Sequence, residues 1–175
     1  MRSKCEEEKG SLFPIDETRG PLLWIKVGLN TKDRKKDQAS RQESQDIDVL
    51  ALLDTGTNLT CIDTRIVKEV GKRLDFLSGD KAKLRAWIGG RNSEEKLFLV
   101  RLSLPIGVGG QDRIFDWMVT SWEYFEEGGP MCLIGRDILD HGIFAYYGYK
   151  KQFSLCIPDD CWEKVLDQCP WLIDE

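Results

Sequence analysis

Most apolar positions of this chain fall in short runs bounded by glycine, proline and polar turns, a pattern that predicts strands. Residues 49–53, Val-Leu-Ala-Leu-Leu, form one such run without a polar break, and it ends on Asp54-Thr55-Gly56. So short and continuous a run is most simply a buried strand, and it delivers a carboxylate into a Thr-Gly turn. Residues 22–29 cluster and alternate apolar side chains in the same way, and are predicted to pair with residues 47–53 as a hairpin. Between them, residues 30–46 carry no apolar pattern. Lys32, Arg34, Lys35, Lys36 and Arg41 are offset there by Asp33, Asp37, Glu43, Asp46 and the adjoining Asp48, so the segment reads as a solvated insertion with a largely cancelled field.

Further along, residues 63–71 fit a short helix closed by Gly71, with Ile66, Val67 and Val70 facing inward. Apolar runs at residues 81–87 and 96–104 flank Ile88-Gly89-Gly90-Arg91, which predicts a hairpin with a Gly-Gly turn. Residues 113–120 and 122–125 are aromatic-rich strand candidates. Residues 131–139 read as a buried strand, a glycine at its end and a short helix, and residues 144–147 and 152–157 as a last hairpin across Gly148. Asp160 and Glu163 form a capping box for a tail helix that Pro170 ends, with Trp162, Val165 and Leu166 placed to dock it. The expected division is a flexible leader over residues 1–20, a domain over 21–157 with its polar insertion at about 30–46, and a helical tail over 158–175.

A length of 175 residues with 41% hydrophobic residues suits one core. The formal net charge of -5 argues against a general nucleic-acid or anionic-membrane binder. The N-terminus is charged, and neither a signal-peptide pattern nor an apolar stretch of membrane-spanning length occurs, so a soluble cytoplasmic chain is expected. In that setting the six cysteines read as thiols. Without a C-x2-C pair and with a single histidine, no metal site is expected, and nothing calls for a cofactor.

Asp54 is where chemistry can sit. Hydrolysis of a peptide bond by carboxylates takes two of them, one ionised to draw a proton from water and one protonated to hydrogen-bond the carbonyl. Carboxyls about 3 Å apart share one proton and so divide these roles. The sequence holds a single Asp-Thr-Gly and no internal repeat, and a second copy brought up on a two-fold axis would supply the second carboxylate. Gly56 permits the close backbone approach this demands, and the Thr55 hydroxyl can bond backbone across such an interface.

These segments resemble the retropepsin-like aspartic proteases of retroviruses and their bacterial relatives. Leu52-Leu53-Asp54-Thr55-Gly56-Thr57 matches that family's active-site motif, and Leu133-Ile134-Gly135-Arg136-Asp137-Ile138-Leu139 matches its later strand-then-helix motif, with the Gly-Gly hairpin between them. The resemblance extends over residues 22–157. It implies an all-β fold, a small closed-barrel-like retropepsin domain with a short helix after Gly135-Arg136-Asp137, to which the tail adds a C-terminal helix. It further implies a homodimer acting on peptide or protein substrates. Asp54 would be catalytic, with Thr55, Gly56, Thr57, Arg136 and Asp137 supporting its loop and Trp87, Ile88, Gly89 and Gly90 forming a flap over the substrate.

The chain departs from the viral pattern at Asn58 and Leu59, where acids often stand, and at Thr57, where alanine is common. A Thr57 hydroxyl can donate to Asp54 and favour its charged form. The likeness of Asp54-Thr55-Gly56-Thr57 to the phosphorylated aspartate of ion-pumping ATPases fails, because that motif has one more residue before Thr-Gly-Thr. Two other readings stand beside the enzyme: Asp54 as a plain turn residue, and a retropepsin-fold module that dimerises and binds peptides without cutting them.

Overall fold

The computed structural model describes residues 11–30, 46–71, 84–88, 91–95, 97–107, 111–123 and 128–157. Six strands close into a barrel in the order β2, β3, β9, β4, β8, β7, confirming an all-β architecture. These are β2 (Leu22–Leu29), β3 (Ile47–Leu53), β4 (Cys61–Asp63), β7 (Leu97–Leu104), β8 (Arg113–Trp122) and β9 (Cys132–Ile134). The hairpin expected from residues 22–29 and 47–53 is present, with Leu23 opposite Ala51 and Val27 opposite Ile47. On β2, Leu23, Ile25 and Val27 point into the barrel while Trp24 and Lys26 point out, the period-two division of a half-buried strand. β7 closes the barrel by pairing with both β8 and β2.

The core is aliphatic. Ile25, Val27, Val49, Ile62, Val100, Leu102, Leu104 and Ile134 are fully buried, and branched side chains of this kind fill a narrow barrel without polar atoms to satisfy. Ile66, Val67 and Val70 of α1 (Thr64–Gly71) cover one side as their spacing predicted.

Outside the barrel, β1 (Leu12–Pro14), β11 (Gln152–Cys156) and β10 (Ile143–Tyr147) form a three-stranded sheet in which β11 is central. β1 lies within the stretch read as a flexible leader. Phe13 stacks on Phe153 at 5.2 Å, and Ile15 N–H donates to the Lys151 carbonyl at 2.9 Å, so this part of the leader is built into the fold. Pro14 is compatible with a strand there because β1 is at the sheet edge, where a missing N–H costs no ladder bond.

β5 (Leu84–Ile88) and β6 (Arg91–Glu95) make a separate two-stranded hairpin, Leu84 opposite Glu95 and Ile88 opposite Arg91. The returning strand is therefore the polar Arg91–Glu95 and not, as expected, the apolar run at residues 96–104. The apolar run after it is β7 and belongs to the barrel. The aromatic segment at 113–120 is β8, which continues through Trp122, while residues 124 and 125 of the second segment lie outside the described residues. The polar insertion from residue 31 to 45 and the tail from 158 lie outside the described residues. Among the described residues, no helix is long and apolar enough to cross a membrane.

Candidate active site

β3 and β9 run side by side and parallel, with Ala51 opposite Cys132, Leu52 opposite Leu133 and Leu53 opposite Ile134. Because the register is parallel, both strands end at the same edge of the barrel. Asp54 leaves one strand and Gly135 the other, side by side, and Asp54 N–H donates to the Ile134 carbonyl at 3.0 Å. The two motifs that stood far apart in sequence are thereby joined.

The Asp54 carboxylate is held by its own loop. Gly56 N–H donates to Oδ1 at 2.8 Å and the Thr57 hydroxyl to Oδ2 at 2.8 Å, while Thr57 N–H donates to the Asp54 carbonyl at 3.2 Å. Thr55 and Gly56 are exposed at the loop tip, and Asp54 and Thr57 are half-buried. A Cβ on Gly56 would sit 3.1 Å from Asp54 Oδ1, a tight approach that explains glycine there. The hydroxyl bond anticipated for Thr57 is thus formed.

The far side of the loop is tied to α2 (Arg136–Leu139). Arg136 N–H donates to the Thr57 carbonyl at 2.9 Å and Asp137 N–H to the Asn58 carbonyl at 3.1 Å. The Arg136 guanidinium bonds the Asn58 amide oxygen. Gly135 is required by contact: a Cβ there would lie 2.7 Å from the backbone carbonyl carbon of Leu59.

Asp137 is the most heavily bonded carboxylate of the region. Its Oδ2 accepts Thr60 N–H and the Trp117 indole N–H, each at 2.9 Å, and its Oδ1 accepts the Thr60 hydroxyl at 2.8 Å and Ile138 N–H at 3.0 Å. Thr60 Oγ1 in turn accepts Gly135 N–H at 3.1 Å. Burial holds the Asp137 carboxyl above the ordinary carboxylate range, against the downward pull of its donors, Trp117 foremost. Burial also pushes the neighbouring Cys132 thiol well up, with smaller contributions from Cys61 and Asp137, so this thiol is inert.

The structure therefore brings Asp54, Thr57, Arg136 and Asp137 together. Trp87 and Ile88 lie on β5 in the separate hairpin, and Gly89 and Gly90 fall outside the described residues. Sequence reasoning missed Thr60 and Trp117. One signal was present: a tryptophan in an apolar strand buries an N–H that needs an acceptor, and Asp137 is the acceptor it finds.

No protein-family model matches the chain, and no curated protein matches it in sequence. Among solved structures it is similar to the crystal structure of a retropepsin-like aspartic protease from Rickettsia conorii, at 15% identity and a TM-score of 0.46, over 83% of this chain and 89% of that one. It is also similar to the crystal structure of the retroviral protease-like domain of Ddi1 from Leishmania major, at 13% identity and a TM-score of 0.37, over 79% of this chain and 97% of that one.

Proposed function

We propose that the chain is an aspartic endopeptidase that assembles its active site from two copies, each contributing Asp54. The observation that carries this reading is the placement of Asp54. It stands at the shared end of β3 and β9, on a loop anchored from α2, with its carboxylate oriented by Gly56 and Thr57. The exposed Thr55-Gly56 tip leaves a face for the same tip of a second copy, and two such carboxylates on a two-fold axis share one proton. The ionised carboxylate takes a proton from water, which attacks the peptide carbonyl. The protonated one hydrogen-bonds the carbonyl oxygen as it becomes tetrahedral, and collapse with proton delivery to the nitrogen releases amine and acid. The flap role over an extended peptide is assigned, as the sequence resemblance implies, to Trp87, Ile88, Gly89 and Gly90.

The test is cleavage of a peptide library across pH 3 to 8 by wild type and Asp54→Asn, alongside sedimentation of both. Expected is a dimer in each case, with cleavage reduced at least about a thousandfold in the variant, the order of loss when a group essential to the chemistry is removed. A dimer that binds peptides without cutting them would replace the enzyme by the binding module. A strictly monomeric chain would overturn the shared site.

A further inference from the structure

We infer that Trp117 is a positioning residue for the Asp54 loop, its indole N–H holding the ionised Asp137 carboxylate in the orientation that anchors Thr60. This inference rests on the proposed role of Asp54. Three elements meet at one carboxylate: β8 supplies Trp117, the end of the Asp54 loop supplies Thr60, and α2 supplies Asp137 itself. Trp117 is 8% exposed and Thr60 fully buried, so water does not substitute freely for a lost partner.

All four groups that contact the Asp137 oxygens donate to it. A carboxylate can accept four such bonds, whereas a carboxylic acid must turn one oxygen into a donor. Of the four partners only the Thr60 hydroxyl can reverse and accept, using the lone pair that Gly135 N–H leaves free, and doing so turns its own proton away from Asp137. Protonation therefore loosens the Thr60 anchor, and with it the loop whose other end carries Asp54. Trp117 opposes this by donating to the charged form alone. The titratable groups nearby are Cys132 on β9, which stays a thiol, and His141 beyond α2, whose ring meets Trp117 edge-on at 5.7 Å. Arg136, next to Asp137 on α2, is engaged with Asn58, and Asp116, next along β8, points to the opposite face of the strand.

Trp117→Phe keeps the ring and removes the donor. The acid limb of the pH–rate profile is expected to move up by about one pH unit, the size set by one lost hydrogen bond to a charged group, with the plateau rate retained. Phe115→Leu is the control: Phe115 packs on the Trp117 ring at 6.0 Å, so this change disturbs packing without touching the N–H and should leave the limb in place. An unmoved limb in folded Trp117→Phe, or an equal shift in Phe115→Leu, overturns the inference. If the variant does not fold, or if wild type cleaves nothing and the proposed function falls, the wild-type protein still decides. The indole N–H resonance of Trp117 and the amides of Thr60 and Gly56 should titrate together in acid by NMR, and the shared step should vanish in Asp137→Asn. Independent or flat titrations overturn the inference.

Discussion

Two aspartates stand at the ends of neighbouring elements, and they are held in opposite ways. Asp54 receives its two side-chain hydrogen bonds from Gly56 and Thr57, within its own loop. Asp137 receives four, from Thr60, Trp117 and Ile138, and so ties the loop and β8 to α2. A carboxylate oriented only from inside its loop keeps its outer side open to another molecule. One enclosed by donors from three elements is a joint of the scaffold. The contrast separates the residue proposed to react from the residue that keeps it in place, although both are aspartates that follow a strand.

Removing the joint should have the largest effect on stability. Asp137→Ala leaves the buried N–H groups of Thr60, Trp117 and Ile138 without their acceptor, and is expected to cost about 3–5 kcal/mol by urea denaturation. Asp137→Asn should cost much less. The pH dependence of the difference between wild type and Asp137→Asn has a defined sign. Because burial raises the Asp137 carboxyl above its ordinary 3.8, the folded state holds that proton to higher pH than the unfolded chain does. The cost of burying its charge is therefore absent below the ordinary value and fully present above the raised one, so the ionised form that orients the Thr60 loop does so at a cost in overall stability. Asp63 has the opposite sign: the Arg65 side chain, foremost, pulls its carboxyl below 3.8, so its contribution is present above that value and fades as pH falls. A wild-type advantage that instead grows with pH would contradict this account of Asp137.

Next in size is Gly135→Ala, expected to cost about 1–3 kcal/mol, since its Cβ would be driven into the Leu59 backbone rather than into a movable side chain. Activity should fall with it, because Leu59 and Thr60 shift together, and a fully active, fully stable variant would remove the close approach from the site. The smallest effect belongs to Asp54's own loop. Thr57→Ala removes a single donor from a half-buried carboxylate and should move the acid limb up by a few tenths of a pH unit, with melting nearly unchanged. An unmoved limb would show that Gly56 N–H alone sets the orientation of Asp54.

What could be read before the structure was what local pattern encodes. Val49 to Leu53 and Leu22 to Leu29 announce themselves by apolar runs and turn signals, and they pair as expected. Leu133 to Leu139 likewise gave its strand, glycine and short helix. The failures were polar or isolated. Arg91–Glu95 has no apolar alternation, and its strand state depends on its partner β5. Leu12–Pro14 is a lone apolar patch beside a charged terminus, ordered through Phe153 far along the chain. Thr60 and Trp117 were invisible as site residues because their significance lies in one shared acceptor, Asp137, and no local rule links positions 77 and 20 residues apart.

The parallel pairing of β3 with β9 also fixes when the site can come into being. During synthesis the Asp54 loop emerges early, but the strand that receives its backbone and the carboxylate that anchors Thr60 lie far downstream. Contacts this distant in sequence form late and slowly. A nascent chain that stops short of Asp137 holds Asp54 in an unanchored loop, so any cutting power the protein has is delayed until nearly all of the barrel has been made.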